Sequence, residues 1–313
     1  MSEPRVSVVI ATMDRRESLL RSLDRLDSPG GPPVVVVDNA SSDGTAEAVR
    51  SGHPRVDLLR LPANAGASAR DRGVQRAGTR YVAFADDDSW WEPGSLETAA
   101  DLLDAHPGVA VVVGRVRLAR DGSDDAVTRK HRAAVLGRSA AGPDVLSFPA
   151  FAAVVRRDAH LAVGGFSPLL FFGGEEHLLA LDLAAAGWQL VFSEDVVAWH
   201  DPAGPDAPSP ARWALQTRND VLVDWLRRPL PVAVSATGRL ARRALTDAAA
   251  RSAFRGLLRR LPAALRQRRP VPVELERRFA TALRPLETVG RVSPRRPARG
   301  HRWGRRAPRS PRP

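Results

Sequence analysis

The chain has 313 residues, 43% of them hydrophobic, which suffices for one large domain or two smaller ones with a sizeable core. It has no cysteine, which excludes disulfides and thiolate metal sites, and no apolar run approaches the roughly 18 residues of a membrane-spanning helix. The net charge of +12 is uneven: residues 229–313 carry 22 arginines and four acids, a net of +18, whereas the remainder carries 25 basic and 31 acidic residues, a net of −6. This shift predicts an organisational boundary near residue 229, and the N-terminus lacks the pattern of a signal peptide.

The first 85 residues alternate between short apolar runs and amphipathic segments, which predicts a parallel sheet with helices on both faces. In such sheets ligands bind beyond the carboxyl ends of the strands. Polar residues lie at or just after each predicted strand end, namely Thr12, Asp38, Asn64 and Asp86. The predicted strands are 6–12, 34–37, 56–61 and 81–85, and the predicted helices are 17–26, a segment ending at 49, and 67–76.

The fourth strand runs into three consecutive carboxylates, Asp86, Asp87 and Asp88. Carboxylates this close raise each other's pKa unless a cation lies among them. Carboxylate oxygens are ligands suited to Mg²⁺ or Mn²⁺, which often bridge one or two carboxylates to substrate phosphates. The stretch therefore predicts a metal–diphosphate site, and the alternative is a solvated acidic turn before a helix that begins near Pro93.

Four motifs together resemble glycosyltransferase family 2 over about residues 5–228. The resemblance implies an inverting enzyme with a GT-A-type α/β fold, in which a mixed, mainly parallel sheet flanked by helices contains a Rossmann-like nucleotide half. It also implies a catalytic domain at 1–228. The composition of the remainder predicts a basic helical extension at 229–290 and a disordered tail rich in arginine and proline at 291–313. The motifs are Val-Ser-Val-Val-Ile-Ala-Thr (6–12), Val-Val-Asp-Asn-Ala-Ser-Ser-Asp-Gly-Thr (36–45), Asn-Ala-Gly (64–66) and the strand ending in the acidic triplet.

The resemblance also implies how a nucleotide-sugar donor of the UDP or dTDP type would bind. Thr12 would line the nucleotide pocket, and Asp38 would accept a hydrogen bond from the imide N–H of the base. Asn64 and Gly66 would let the backbone approach the nucleotide, and Arg70 would lie beside the phosphates. The family often has asparagine where this chain has aspartate, directly after Arg70, which leaves the contact of position 71 undefined.

The resemblance to the family also implies which residues would form a metal site. Asp86 and Asp87 would contact the ribose and the diphosphate, with Asp86 also a ligand, and Asp88 would be the principal ligand of Mg²⁺ or Mn²⁺. His200 ends an apolar segment at the interval where the family places a histidine against the metal or diphosphate, and imidazole can complete a site otherwise made of oxygens. The alternative for His200 is a structural role.

The second half of the body continues the alternation with less regular signals. Residues 119–147 are polar and weakly periodic, which predicts a variable loop with a short helix, in which Lys130 and His131 are expected to be solvated. The other predicted elements are helices at 94–105, 178–186 and 211–228 and strands at 109–118, 148–156, 189–192 and 196–199.

Two glycines precede a pair of acids, Glu175 and Glu176, at a predicted helix start, where the helix dipole favours an anion. Inverting transfer needs a carboxylate that takes the proton of the attacking hydroxyl. The stretch resembles the Glu-Asp motif of the family, in which the second acid is the base, so Glu176 is predicted as the base. Because glutamate is one methylene longer than aspartate, Glu175 could share this work, and both acids could instead be simple helix-start residues.

The basic extension has a candidate apolar stripe flanked by arginines, which suits either an anionic membrane surface or packing on the body. We expect a cytoplasmic protein or one bound peripherally to the inner face of the plasma membrane, with a glycan or lipid-linked glycan acceptor and no specific nucleic acid. The alternative function is a non-catalytic protein that binds nucleotide sugars or polyanions on the same fold. The stripe comprises Leu240, Ala244, Ala248, Phe254, Leu257, Leu258 and Leu261.

Overall fold

The structure is a computed structural model that describes residues 3–27, 29–133, 135–202 and 209–289, with side chains up to residue 282. The predicted tail at 291–313 lies outside the described residues. The strands are β1 (Val6–Thr12), β2 (Val34–Asp38), β3 (Asp57–Arg60), β4 (Tyr81–Ala85), β5 (Ser89–Trp91), β6 (Val109–Leu118), β7 (Arg138–Ser139), β8 (Gly142–Pro143), β9 (Ala153–Arg156) and β10 (Gln189–His200).

Helices follow most of the strands and then continue alone to the end of the described chain. They are α1 (Arg16–Leu26), α2 (Thr45–Gly52), α3 (Ala69–Arg76), α4 (Ser95–Ala105), α5 (Ala126–Arg132), α6 (Arg157–Ala162), α7 (Glu175–Ala185), α8 (Pro210–Arg227), α9 (Leu230–Ala244), α10 (Ala248–Arg266) and α11 (Val273–Val289).

Eight strands form one sheet in the order β3-β2-β1-β4-β9-β6-β10-β5. Strands β3, β2, β1 and β4 are mutually parallel, as are β6 and β10. Strand β9 is antiparallel to both of its neighbours, and β5 is antiparallel to β10. The prediction of a mixed, mainly parallel sheet flanked by helices is confirmed.

The core lies on both faces of this sheet because successive residues of a strand point in opposite directions. In β1, Val8 and Ile10 join a buried cluster with residues of α1, α2 and α4, whereas Val9 joins a second cluster with α3, α6 and α7. Helix α3 lies unusually close to β1, since a Cβ at Gly73 would come within 2.4 Å of Val9 Cγ1. This close packing fixes the helix that carries Arg70.

Several local predictions differ from the structure. The two short strands expected at 189–192 and 196–199 form one strand, β10, whose pairing with β6 shifts register between Ser193 and Val197. The strand expected at 148–156 is limited to β9, because residues 150–152 form a 3₁₀ turn. Strand β5 was not predicted, since three residues directly after three aspartates give too short a periodic signal.

The expectation that Lys130 and His131 are solvated is also wrong. His131 is 4% exposed and its ring lies 5.7 Å from that of Phe192. Lys130 is half-buried, with its Nζ 3.4 Å from Ser147 Oγ. Helix α5 packs against the sheet here, because Thr128 Oγ1 accepts a hydrogen bond from the backbone N–H of Val116 in β6. Burial lowers the pKa of His131 to about 4 and leaves it neutral at pH 7.

The C-terminal helices share a third buried cluster with α7 and α8. Leu240, Ala244 and Leu257 of the predicted stripe are buried in it, whereas Leu258 is 49% exposed and Leu245, between α9 and α10, is 80% exposed. Packing on the body therefore accounts for the buried part of the stripe. Of the helices within the described ranges, none combines the length and apolarity needed to cross a membrane.

Candidate active site

A cavity of about 1200 Å³ lies at the carboxyl ends of the strands. Its inner part is formed by residues after β1, β2 and β4, and its outer part by the segment after β6, by α5, by Phe171 and Phe172, and by the first turns of α8. Eight of the predicted site residues line it: Thr12, Asn64, Gly66, Arg70, Asp86, Asp87, Asp88 and His200.

Three predicted site residues do not line this cavity. Asp38 is fully buried, and its Oδ1 accepts the backbone N–H of Ser41 at 2.8 Å. Its Oδ2 makes no hydrogen bond within the described residues, although Arg60 Nε is 3.4 Å away. Glu175 and Glu176, at the start of α7, are the other two.

Two arginines neutralise the acidic triplet. Arg70 is almost fully buried, and its Nη2 lies 2.5 Å from Asp86 Oδ1. Arg15 comes from the turn after β1, and it donates from Nε to Asp87 Oδ1 and from Nη2 to Asp88 Oδ2, both at 3.1 Å. A cationic group thus already lies between two of the carboxylates.

Burial and the remaining repulsion raise the pKa of two carboxylates of the triplet. Burial and the neighbouring Asp86 raise the pKa of Asp88 to about 6, against the opposing effect of His200. Burial also raises the pKa of Asp87, despite Arg15. A divalent cation next to these groups would offset this cost of ionisation.

His200 lies beside the triplet, with its Nε2 3.6 Å from Asp88 Oδ1. Its ring stacks on Phe151 at 4.4 Å, and its buried Nδ1 has no hydrogen-bond partner in the described parts of the chain. Strand β5 creates this proximity, because Ser89, directly after Asp88, pairs with His200 in the antiparallel ladder.

The side chains of Asp88 and His200 provide some, but not all, of the ligands that a divalent cation needs. Asp88 and His200 offer an oxygen and a nitrogen in adjacent positions, but in the ranges that are described no three side chains of His, Asp or Glu are gathered into a metal-binding group. Asp86 is instead engaged by Arg70. Mg²⁺ commonly takes only one or two carboxylates and completes its shell with water and substrate phosphates, so a two-ligand site is chemically sufficient.

The loop before α7 is held against the inner part of the cavity. The carbonyl oxygen of Phe171 accepts the N–H of Ala67 at 2.6 Å, and a Cβ at Gly66 would lie only 2.1 Å from this oxygen. Gly66 is therefore required for the close approach of the two loops. Phe171 has a φ of +68°, unusual for a non-glycine residue, and Gly173 and Gly174 that follow are left-handed too.

Arg218 and Asn219 of α8 fix this loop. Asn219 Nδ2 lies within hydrogen-bonding distance of the carbonyl oxygens of Leu170 and Phe172 at 2.9 Å and of Gly173 at 2.5 Å. Arg218 Nη2 also donates to Leu170 O, at 2.9 Å, and Nε donates to Asn219 Oδ1 at the same distance. The two side chains thus support the loop that leads into the acid pair.

The acid pair lies close to Arg70. Burial raises the pKa of Glu176 to about 7, helped by Glu175 and opposed by Arg70. Glu175 is 2% exposed, its pKa is also raised by burial, and its Oε2 makes no hydrogen bond to any described residue. Both acids therefore retain protons more readily than ordinary glutamates, and Glu176 titrates close to neutral pH.

The departure from the family pattern at Asp71 has a structural explanation. Both carboxylate oxygens of Asp71 lie 3.1 Å from the backbone N of Phe166, and Oδ1 lies 2.8 Å from His160 Nε2. A Cβ at Gly165 would come within 2.4 Å of the Asp71 carboxylate. Asp71 therefore ties α3 to the segment before α7.

Comparison with known proteins finds a family match over the first half of the chain and similar glycosyltransferases. Residues 7–164 match the family described as "Glycosyl transferase family 2". Among curated proteins, glycosyltransferase AglE of Haloferax volcanii is 29% identical over 219 residues, 64% of this chain and 68% of AglE. The N-acetylglucosaminyl-diphospho-decaprenol L-rhamnosyltransferase of Mycobacterium tuberculosis is 27% identical over 243 residues, 66% of this chain and 78% of that protein.

Solved structures share the fold at low sequence identity. TarS of S. aureus has a TM-score of 0.52 at 19% identity, covering 76% of this chain and 42% of its own. GalNAc-T7 with UDP, GalNAc and Mn²⁺ has a TM-score of 0.56 at 14% identity, covering 72% of this chain and 48% of its own. The chain thus spans less than half of either protein, and these likenesses concern the fold.

We predict that Asn219→Ala destabilises the protein by about 2 kcal/mol, because the carbonyl oxygens of Phe172 and Gly173 lose their amide donor. The carbonyl oxygen of Leu170 would keep its hydrogen bond from Arg218. Urea unfolding followed by circular dichroism measures this. Gln216→Ala, an exposed position one turn earlier on α8, should change stability by less than about 0.5 kcal/mol. Equal stabilities for the two variants would contradict the assigned role of Asn219.

Proposed function

The chain belongs to glycosyl transferase family 2, and we propose that it is an inverting enzyme that moves a sugar from a UDP- or dTDP-sugar to a hydroxyl group of a glycan or lipid-linked glycan. The observation that carries this proposal is the set of three carboxylates at the inner cavity wall, linked through Arg70 to two acids of raised pKa. Measuring nucleotide release from a panel of nucleotide sugars, with and without Mn²⁺, tests it.

We assign donor binding to the inner half of the cavity. Thr12, Asn64 and Gly66 line it, and Arg70 faces the same space as the triplet. Burial alone would lower the pKa of Arg70, but Asp86 and Glu176 outweigh burial and raise it, so Arg70 stays charged for a diphosphate. Asp38 would contact the base through Oδ2, the oxygen without a hydrogen bond, and this requires the cavity wall in front of it to open.

We further propose that Asp88, Asp86 and His200 hold Mg²⁺ or Mn²⁺. The support is the 3.6 Å approach of Asp88 and His200 and the raised pKa of Asp88, and among structures of the same fold GalNAc-T7 was solved with Mn²⁺. Such a cation would supply charge neutralisation for the departing diphosphate. For Asp86 to take part, it would first have to leave its ion pair with Arg70.

In the proposed transfer, the acceptor oxygen forms a bond to the anomeric carbon as the bond from that carbon to the diphosphate oxygen breaks. The proton of the acceptor hydroxyl passes to Glu176, with Glu175 as the alternative base. The nucleoside diphosphate leaves with the bonding electron pair, and Arg70 stabilises its negative charge. A base with a pKa near 7 is well matched to proton transfer at neutral pH.

The acid pair needs access to the acceptor for this role, because neither glutamate lines the cavity. The adjoining loop supports a local movement: Phe171 has an unfavourable positive φ, and Gly173 and Gly174 tolerate wide changes of backbone angle. A catalytic base often reaches its final geometry only with substrate bound. We propose that acceptor binding displaces Phe171 and Phe172 and brings Glu176 to the hydroxyl.

We predict that Glu176→Gln lowers the rate of transfer by about 10²–10⁴-fold while donor binding is retained, because only proton acceptance is lost. Single-turnover assays measure the rate, and calorimetry measures the donor affinity. Because the base is active when ionised, the wild-type rate should fall about tenfold per pH unit below a pKa of about 7 and level off above it. This dependence should disappear from the residual activity of Glu176→Gln.

Glu175→Gln is the matched control for the base. It should have the milder effect, and a greater loss than in Glu176→Gln would mean that the roles of the two acids are reversed. A wild-type pH profile without an inflection near neutrality would contradict a base that titrates there.

We predict that Asp88→Asn abolishes metal-dependent donor binding and leaves the fold intact, because it keeps the shape of the side chain but removes its charge. Calorimetric titration of UDP with and without Mn²⁺ measures this. Asp101→Asn, an exposed carboxylate that pairs with Arg5 outside the cavity, is the control and should behave as wild type. Unchanged Mn²⁺-dependent affinity in Asp88→Asn would eliminate Asp88 as a ligand.

We also propose that the C-terminal helices bind an anionic membrane surface. Leu258 and Leu265 are each 49% exposed and lie on one face of α10, and Arg255, Arg259 and Arg266 of the same helix are exposed. Each arginine near an anionic surface contributes about 1 kcal/mol, and apolar side chains add burial in the interface. Residues 1–228, with their net charge of −6, lack this excess of positive charge.

We predict that the protein sediments with phosphatidylglycerol vesicles at low salt and is released as salt rises. Leu258→Ser combined with Leu265→Ser should weaken binding without changing UDP affinity, which is a safer test than removing residues 229–313, because α9–α11 share a buried cluster with α8. Equal sedimentation of the variant, or binding to neutral vesicles that salt does not affect, would contradict membrane binding by these helices.

A further inference from the structure

The outer half of the cavity is basic, in contrast to its inner half. Three arginines from three separate segments line it: Arg120 follows β6, Arg129 lies on α5, and Arg212 lies in the first turn of α8. All three are exposed. Their convergence on one cavity from different segments provides a binding surface that donor recognition in the inner half does not use.

The carboxylates of the outer cavity wall already have partners within the protein. Asp124 pairs with Arg115 at 2.7 Å and with Arg132 at 2.9 Å, neither of which lines the cavity. Asp125 caps α5 by accepting the N–H of Val127 at 2.6 Å. These carboxylates therefore offset little of the positive charge that faces the cavity.

The three arginines, in contrast, have few strong partners. Arg120 is 3.4 Å from the exposed Asp121, a contact weakened by solvent. Arg129 donates to the backbone carbonyl of Asp124 at 2.5 Å, and neither Arg129 nor Arg212 pairs with a carboxylate in the portion of the chain that is described. Guanidinium groups exposed in this way can bind phosphate oxygens in pairs.

The α8 end of the cavity adds to this preference for anions. Ser209 and Arg212 both line the cavity, so the N-terminus of α8, an 18-residue helix, lies at its wall. The positive end of the helix dipole favours an anion there. The guanidinium carbon of Arg212 lies 5.4 Å from the ring of Phe172, and Phe171 and Phe172, at the cavity wall, are 37% and 38% exposed. An apolar surface thus adjoins the cationic one.

We propose that Arg120, Arg129 and Arg212 bind a phosphate or diphosphate group of the acceptor, and that Phe171 and Phe172 contact an apolar chain attached to it. This inference rests on the proposed function, since it requires the donor to occupy the inner half. It narrows the acceptor to a phosphate ester or diphosphate of a glycan. It also explains how acceptor binding would reach the loop before Glu176, because the acceptor would contact the two phenylalanines of that loop.

The test uses the full-length protein with its donor half filled by saturating UDP and Mn²⁺. Isothermal titration then compares farnesyl diphosphate, farnesol and glucose 1-phosphate as probes of the outer half. Arg120→Gln, Arg129→Gln and Arg212→Gln are measured singly and together. The control combines Arg50→Gln, Arg72→Gln and Arg138→Gln, which removes the same charge from exposed positions outside the cavity.

We expect farnesyl diphosphate to bind and farnesol to bind far more weakly, with a loss of about tenfold in farnesyl diphosphate affinity for each cavity arginine replaced. The control with replacements outside the cavity should match wild type. Glucose 1-phosphate affinity that falls in the same variants would support the phosphate site and point to a soluble acceptor, whereas dependence on the farnesyl chain would point to a lipid-linked one.

Equal farnesyl diphosphate affinity in the wild type and the triple cavity variant would overturn the inference, as would equal binding of farnesol and farnesyl diphosphate. A loss of UDP affinity in the cavity variants would overturn it differently, because the arginines would then belong to the donor site. Failure of the wild-type protein to bind UDP at all would count against the proposed function instead. Retained UDP binding in each variant serves as the check on folding.

Discussion

The arrangement of the site depends on one buried cation, Arg70. Its guanidinium pairs with Asp86 on one side and is close enough to Glu175 and Glu176 to affect their ionisation on the other. A buried arginine without such partners would be costly, and so would the carboxylates without the arginine. The two acidic groups, which lie about ninety residues apart in the chain, are therefore held next to each other by mutual neutralisation. Helix α3 supports this cation, because it packs on β1 without a side chain at Gly73 and is tied through Asp71 to Phe166.

The antiparallel parts of the sheet give the site its second constraint. A wholly parallel sheet would separate the triplet from the end of β10 by several strands. Strand β5 instead returns from Asp88 along β10 at the sheet edge, and His200 comes within 3.6 Å of Asp88. The acidic turn is thereby fixed at both ends, by β4 before it and β5 after it. The cavity that results is acidic at its inner wall and basic at its outer wall.

The parallel half of the fold was predictable because its signals are local. Apolar runs of the right length, followed by polar residues, are enough to identify β1, β2 and β4 and to bring Thr12 and Asp86 to one cavity. The sequence could not predict β5 or the continuous β10, since a three-residue strand and a bulged strand both break the period of two. Nor could it predict that Asp38 is sealed behind the cavity wall or that Asn219 holds the loop before α7, because such contacts join segments far apart in the sequence. The assignments of metal, base and donor contacts remain predictions.

The loop before α7 is the point where the two halves of the cavity are coupled. It touches the inner half of the cavity through the carbonyl of Phe171 at Gly66, helix α8 through Asn219, and the outer half through the ring of Phe172 beside Arg212. Its positive φ at Phe171 is a strained conformation that these contacts maintain together. A ligand that replaces even one of the contacts changes the balance among them. Because the acid pair begins immediately after this loop, a ligand that moves the loop would change the exposure and the pKa of Glu176. In the transfer that we propose, bound donor and acceptor would in this way together determine when Glu176 acts as the base.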